Sequence, residues 1–491
     1  MKKRSTPFVV LIAALILTAC GGTTPAAPTA APAAPAPTAA PAAPEATAAP
    51  AAEATAAPAV PEATAAPAPE ATAAPAASGE PITINFVMCC VQDDTIAFNK
   101  VIEAWHKAEP KYDNVTINLE LTPFQELFPK IETAVASGAV LDLFQADGPD
   151  IKHYAYNKVI VPLDKYFTKE ELAAFVPINV EAGTYKGTFY SPGIMESCSL
   201  MFYNKDMTDA AGVKPPENTL EGWTMQQAHD NWKKTVISDA SGNQTQWGLR
   251  WGQGTYFGDY EAGIIRRSAG AKGSPTNMGV AKDGITFKGY MDTPEAMKSF
   301  EEWRSWFAGD APIMQKEPVQ NIFFDSKAAF YISPDNAVGT INRQYPDGDF
   351  HYGVTGIPYM EGGSQICHTD SWHFGISPQS KHIDVSAALV KYMTGPEGAK
   401  IWYDEVRQLP ARIELLNTLP EYSKPPQQLF AQAVQKIGQP RIQTPGYTEY
   451  QSVFGELMQN LAQTDAPVDQ LVNDAVGKIE AAVAKYKGWD Q

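Results

Sequence analysis

From Ile82 onward the apolar residues of this 491-residue chain switch repeatedly between a period of two and a helical spacing. That alternation restricts the possible folds more than any other feature. Ile82 to Met88 alternates apolar and polar residues and stops at Cys89-Cys90-Val91-Gln92-Asp93-Asp94, after which Ile96, Phe98, Val101, Ile102 and Trp105 share one helical face. Val115 to Leu121 reads as a second strand, Phe124 to Ala136 as a helix, and Val140 to Ala146 as a third strand running into Asp147-Gly148-Pro149-Asp150. Strands alternating with helices predict an α/β fold with a mainly parallel sheet and right-handed crossovers. Ligands of such sheets bind at the carboxyl ends of the strands, which here means the loops at Gln92 to Asp94 and Gln145 to Asp150. About 410 residues follow residue 79. They are too many for one core, so two lobes are expected.

The N-terminus has a different character. Lys2, Lys3 and Arg4 precede the apolar run Phe8 to Leu17, which ends on Leu17-Thr18-Ala19-Cys20. This is the layout of a secretory signal, and its apolar core of about ten residues is half of the roughly 20 that a membrane-spanning helix requires. Leu-Thr-Ala-Cys followed by Gly21 and Gly22 resembles the bacterial lipobox, so residues 1–19 are expected to be removed and Cys20 to carry lipid. From residue 20 to 79 the chain is almost wholly Ala, Pro, Thr and occasional Glu, with Pro-Glu-Ala-Thr-Ala-Ala-Pro at Pro44, Pro61 and Pro69. Such a composition cannot build a core. It predicts a disordered, extended spacer that holds the folded part away from a membrane.

The formal net charge is −17. Loss of Lys2, Lys3 and Arg4 with the signal would take it to −17 − 3 = −20. An acidic surface of this kind argues against nucleic acid and anionic lipid as partners. Cys89, Cys90, Cys198 and Cys367 permit three complete pairings in an oxidising compartment. A ring between adjacent Cys89 and Cys90 would be tight, so a bridge from one of them to Cys198 is the expectation, with free buried thiols as the alternative. Cys367-His368-Thr369-Asp370-Ser371-Trp372-His373 has the residue types of a metal site. Its two histidines lie five apart on a strand edge and no second His/Cys cluster completes the ligand set, so no metal is expected. No nucleophile elbow, phosphate loop, zinc-protease helix or dinucleotide fingerprint is present, which predicts neither catalysis nor a cofactor.

Several stretches agree in order with one known family. They are Asp142-Leu143-Phe144-Gln145-Ala146-Asp147, Pro162-Leu163-Asp164-Lys165-Tyr166-Phe167, Tyr185-Lys186-Gly187-Thr188-Phe189-Tyr190-Ser191-Pro192 and Leu200-Met201-Phe202-Tyr203-Asn204-Lys205-Asp206. Ala211-Gly212-Val213-Lys214-Pro215-Pro216, Lys327-Ala328-Ala329-Phe330 and Phe374-Gly375-Ile376-Ser377, with Gly395-Pro396-Glu397-Gly398, continue the pattern. The chain thus resembles the extracellular solute-binding proteins of family 1, maltose-binding-protein-like substrate-binding lipoproteins of ABC transporters. The resemblance implies a two-lobe, type II periplasmic-binding-protein-like fold. Its three interlobe crossings would lie near Pro192 to Cys198, Ala328 to Ser333 and Trp372 to Ile376. Residues 80–194 plus 333–372 would form one lobe, and 195–332 plus 373–491 the other. It also implies a monomeric, lipid-anchored protein on the outer face of the cell membrane, which closes about a sugar or oligosaccharide and presents it to permease subunits of an ABC importer. The alternative is a lipid-anchored glycoside hydrolase, which would need two carboxylates at a set separation.

A sugar site needs polar side chains for hydroxyl groups and flat aromatics for C–H faces. Trp251 and Tyr256 fall in an aromatic, Gly-rich stretch and are expected to stack on ligand. Gln145 and Asp147 end the third strand. Asp93 and Asp94 follow the first strand, where one of them is expected to cap the next helix. The resemblance puts Glu196 on a crossing and Asp370 and Trp372 beside the cleft, and it brings Arg412 within reach.

Overall fold

The period-two segments are strands. The computed structural model describes residues 79–89, 92–139, 141–252, 258–317, 319, 321–487 and 489, with Gln92, Asp93, Phe124 and Gln125 described at the backbone only. Residues 1–19, Cys20, the spacer to residue 78, Cys90 and Tyr256 lie outside that range, as does the side chain of Asp93. The first five strands are β1 Ile82–Met88, β2 Val115–Leu121, β3 Leu143–Asp147, β4 Thr184–Tyr185 and β5 Thr188–Phe189. Next come β6 Leu200–Asn204, β7 Ile237–Ser238, β8 Gln244–Trp251 and β9 Ala328–Ser333. The last four are β10 Tyr352–Thr355, β11 Cys367–Thr369, β12 Trp372–Ile376 and β13 Gly438–Pro440.

One sheet has the order β12-β3-β1-β2, and a second has the order β10-β6-β9-β8-β7. In the first, β1 runs parallel to both β2 and β3, while β12 is antiparallel with Trp372 opposite Asp147. The carboxyl ends of β1 and β3 and the start of β12 therefore share one edge. Ile84, Phe86 and Met88 point into a core with Phe98, Trp105 and Phe374, where Phe86 and Phe374 meet edge to face at 5.9 Å. Helices Gln92–Ala108, Ile383–Met393 and Pro396–Val406 close that core.

The second sheet is covered on both faces. Met201 and Tyr203 of β6 enter one core, which contains Trp232, Trp251, Trp303 and Trp306, whereas Leu200 and Phe202 enter another with Phe323, Tyr331 and Phe430. A strand buried on both sides has no polar face to reveal its period, which explains the unbroken apolar reading of residues 200–203. Trp251 ends β8 opposite Ile332, and Leu200 starts β6 opposite Ser333. These ends form the second edge of the junction between the lobes.

Three expectations need correction. Ala328–Ser333 is not a crossing but β9, an interior strand hydrogen-bonded to β6 and β8. Residues 333–355 build on the second sheet through β10, while β12 and the helices to Val406 build on the first, so these two stretches exchange lobes, whereas the chain from Leu415 onward packs with the second sheet as expected. The chain crosses at 190–199, at Asp370-Ser371 just ahead of β12, and at 408–412. Finally, Cys198 pairs with Cys367, with their Cα atoms 5.3 Å apart, and not with Cys89 or Cys90. Cys89 is itself disulfide-bonded, so free thiols are not the state of these three cysteines.

Candidate functional site

The crossings lie side by side and are stitched by their backbones. The Ile194 amide donates to the Trp372 carbonyl at 3.0 Å and the Glu196 amide to the Leu409 carbonyl at 2.8 Å. Bridges pair Gly193 with His373 and Met195 with Pro410. Asn179 braces this bundle. Its Nδ2 donates to Glu196 Oε1 at 2.7 Å and to Ser371 Oγ at 3.0 Å, and its Oδ1 accepts from the Gly193 amide at 3.0 Å. A Cβ on Gly193 would fall 1.8 Å from Ser371 Oγ and 2.4 Å from Asn179 Nδ2, so only glycine lets these segments approach. Burial, only partly offset by Asn179, pushes the Glu196 carboxyl up to about 8. At neutral pH it is mostly protonated.

Beside Glu196 stands a buried charge cluster made by three distant segments. Arg441 Nη2 pairs with Asp147 at the end of β3 and with Asp370 Oδ1 at 2.7 Å, while its Nη1 donates to the Tyr447 hydroxyl at 2.9 Å. Burial raises both carboxyls, but the guanidinium overrides it at Asp147, which is held below the usual range. At Asp370 burial and the neighbouring Asp147 charge win, so its carboxyl is raised well above the usual range. Tyr260 donates to Ser197 Oγ at 2.8 Å and lies under Arg441, with its ring centroid 5.6 Å from the guanidinium carbon. A small hollow bounded by Gly148, Glu196, Asp370, Ser371, Arg441 and Gln443 opens onto these groups.

The expected site residues separate into groups. Gln145, Asp147, Glu196, Asp370 and Trp372 do come together at the junction. Gln145 is fully buried, and its Oε1 accepts from the Cys89 amide at 2.8 Å while Nε2 has no partner among the described residues. Trp372 stays partly exposed at the sheet edge, over two apolar clusters of the first lobe. Asp94 is buried in the first turns of the helix Gln92–Ala108.

Two expectations fail on packing. Trp251 is fully buried: its ring lies 5.1 Å from that of Trp306 and its Nε1 donates to the Glu261 carbonyl at 3.0 Å, so no face is left for a ligand. Arg412 sits over the Phe175 ring at 5.0 Å and lines a different hollow with Trp105, Tyr112 and Tyr392. The Cys-His stretch is also spoken for. Cys367 is in a disulfide, His368 lies 3.0 Å from both Arg267 Nη1 and the Asp259 carbonyl, and His373 meets the Ser191 carbonyl at 3.1 Å. Among the described residues no cluster has the makings of a metal site. Arg441 and Asn179 escaped sequence reading, because each is a lone polar residue whose partners come from remote segments.

Residues 92–400 match the family described as bacterial extracellular solute-binding protein. The maltotriose-binding protein of Pyrococcus abyssi is 24% identical over 388 residues, covering 76% of this chain and 75% of that protein. A binding protein of Brucella abortus is 25% identical over 268 residues, so the chain spans 59% of the length of that relative and 53% of its own. Among solved structures, the GacH receptor of Streptomyces glaucescens, studied unliganded and with acarbose, superposes with a TM-score of 0.68 at 17% identity, over 83% of this chain and 100% of that one. The maltose/maltodextrin-binding domain MalE of Bdellovibrio bacteriovorus, bound to maltotriose, gives 0.67 at 17% identity, over 82% and 100%. At these identities the likeness is one of fold, the two-lobe arrangement of type II binding proteins.

Proposed function

The chain belongs to the bacterial extracellular solute-binding proteins, and from that membership we propose that it captures a sugar or oligosaccharide between its two lobes and delivers it to the permease of an ABC importer. The observation that carries this reading is the junction itself. Three adjacent crossings join two rigid sheets, and polar groups gather where the strand ends of both sheets meet. A few crossing residues can absorb a rotation of one lobe on the other, and a ligand touching both lobes favours the closed form by its differential affinity. Glu196 and Trp372 are the described groups we assign to the ligand: a neutral carboxyl able to donate and accept, and an aromatic face. The maltotriose-binding relative and the carbohydrate-bound structural neighbours support a sugar as the solute. Lipid attachment at Cys20, with residues 20–79 as a tether, completes the proposal, since cargo capture outside a cell is useful only near the importer. Membership of a family of binding proteins sets the hydrolase alternative aside.

Thermal unfolding measured across a panel of mono- and oligosaccharides tests this directly. A cognate sugar at about a hundred times its Kd stabilises by roughly 2.7 kcal/mol and is recovered chemically unchanged. Trp372→Ala should then weaken binding about ten-fold or more through lost apolar contact. Turnover of the sugar, or no stabilisation by any member, would defeat the reading.

A further inference from the structure

Next to the junction runs a groove of about 640 Å³ whose charge is opposite to that of the whole chain. Lys152 and Lys186 line it from the first lobe, and Lys272 and Lys282 from the second, with Glu181 as the lone acid among its lining residues. Arg267 and Arg441 also border it, but their guanidinium groups are already engaged, Arg267 with Asn277, Gln439 and Pro440 and Arg441 with Asp147 and Asp370. Three of the lysines are in a different state. Lys152, Lys272 and Lys282 have no ion-pair or hydrogen-bond partner among the described residues. Lys152 is half-buried, and burial depresses its pKa, with Glu181 only partly restoring it. Keeping a cation there without a partner costs stability that an incoming anion would return. Tyr185 and Trp489 form an aromatic wall, with ring centroids 4.7 Å apart. Pro440, Arg441 and Gln443 border both this groove and the hollow beneath Glu196 and Asp370, so the two spaces adjoin.

We infer that this groove seats a carboxylate or sulfate of an acidic oligosaccharide whose remaining rings occupy the junction. A concave surface of one sign concentrates field and draws in the opposite charge, and here it does so against a net charge of −17. Cations from both lobes converge on the same space, so a bound anion would also favour closure. The inference rests on the sugar-binding reading and narrows its substrate class.

Calorimetry on the full chain with matched pairs tests it: galactotriose against trigalacturonate, cellotriose against cellotriuronate, and galactotriose against its 6-O-sulfated form. The uronate pairs report on carboxylate and the sulfated pair on sulfate. The acidic member of a bound pair should bind more tightly, and the advantage should shrink as salt is raised. Lys272→Gln with Lys282→Gln, both at exposed positions, should reduce that advantage roughly two- to thirty-fold while the neutral member binds as before. A neutral sugar that binds as well as its acidic counterpart, or a preference that survives the double variant, overturns the inference and leaves sugar binding intact. Binding by no member of any pair removes the carbohydrate reading and this inference with it.

Discussion

A guanidinium held out of water between two carboxyls stabilises the fold only while its partners remain. Arg441→Met would leave the Asp147 charge buried and alone, and should cost about 3–5 kcal/mol in urea unfolding. The two acids should not respond alike. Asp370 is partly exposed and its carboxyl is raised by burial and the Asp147 charge, so Asp370→Asn should be the milder change, whereas Asp147→Asn removes the buried anion that balances Arg441. Equal losses from both would refute that division. Glu196 allows a cleaner test, because its carboxyl rises from 4.5 to about 8 on folding. The native state thus holds an extra proton, and wild-type stability falls as pH rises from about 4.5 through about 8. Glu196→Gln lacks that proton and its loss. The Tm of the variant minus that of the wild type should therefore climb across this window and level off above it. A flat difference would show that Glu196 is ionised at neutral pH. These residues were only partly legible in the sequence. Glu196 and Asp370 could be placed by resemblance, but Arg441 has no local signature, and nothing in Gln439-Pro440-Arg441-Ile442 tells which distant carboxylates it will meet.

At the scale of elements, legibility followed the number of faces that a strand buries. β1 and β2 sit toward one side of their sheet and keep polar residues on one face, so their period and extent were readable. β9 and β12 have apolar, buried surroundings on both sides, and Ala328–Ser333 and Trp372–Ile376 looked the same as buried crossings. Trp251 illustrates the same limit, since an aromatic beside glycines reads as a loop platform, yet tertiary packing made it the end of a core strand. The disulfide was misread because its halves become neighbours only after the crossings are assembled. It ties 190–199 to β11 on the second-lobe side of the bundle, across a sequence separation of 169. Replacing Cys198 and Cys367 together by serine should lower unfolding free energy by about 2–5 kcal/mol. Sugar affinity should change less than stability, because the residues that must bend lie between this bridge and the first sheet. An affinity loss as large as the stability loss would mean that the bridge itself sets the cleft.

For the whole molecule, the decisive quantity is the balance between open and closed arrangements, and the C-terminal segment bears on it. Trp489 follows the helix Val468–Val483 of the second lobe, yet its ring stacks near Tyr185 of the first lobe at 4.7 Å and lies 5.7 Å from that of Tyr156. The Tyr185 hydroxyl donates to the Trp489 carbonyl at 2.8 Å, and His153 of the first lobe contacts the Pro445 carbonyl of the second. Such contacts exist only while the lobes are together. Removing a buried tryptophan face costs the closed form about 1.5–3 kcal/mol and costs the open form little. Trp489→Ala should therefore enlarge the radius of gyration of the ligand-free protein in X-ray scattering. With saturating sugar the variant should close to the wild-type dimension, because the junction groups Glu196 and Trp372 still engage the ligand. Its Kd should rise by roughly ten- to a hundred-fold, in proportion to the lost closed population, and most of the change should appear in the dissociation rate. An unchanged Kd in a variant with an enlarged ligand-free radius would separate closure from binding and leave the hinge without a role in capture.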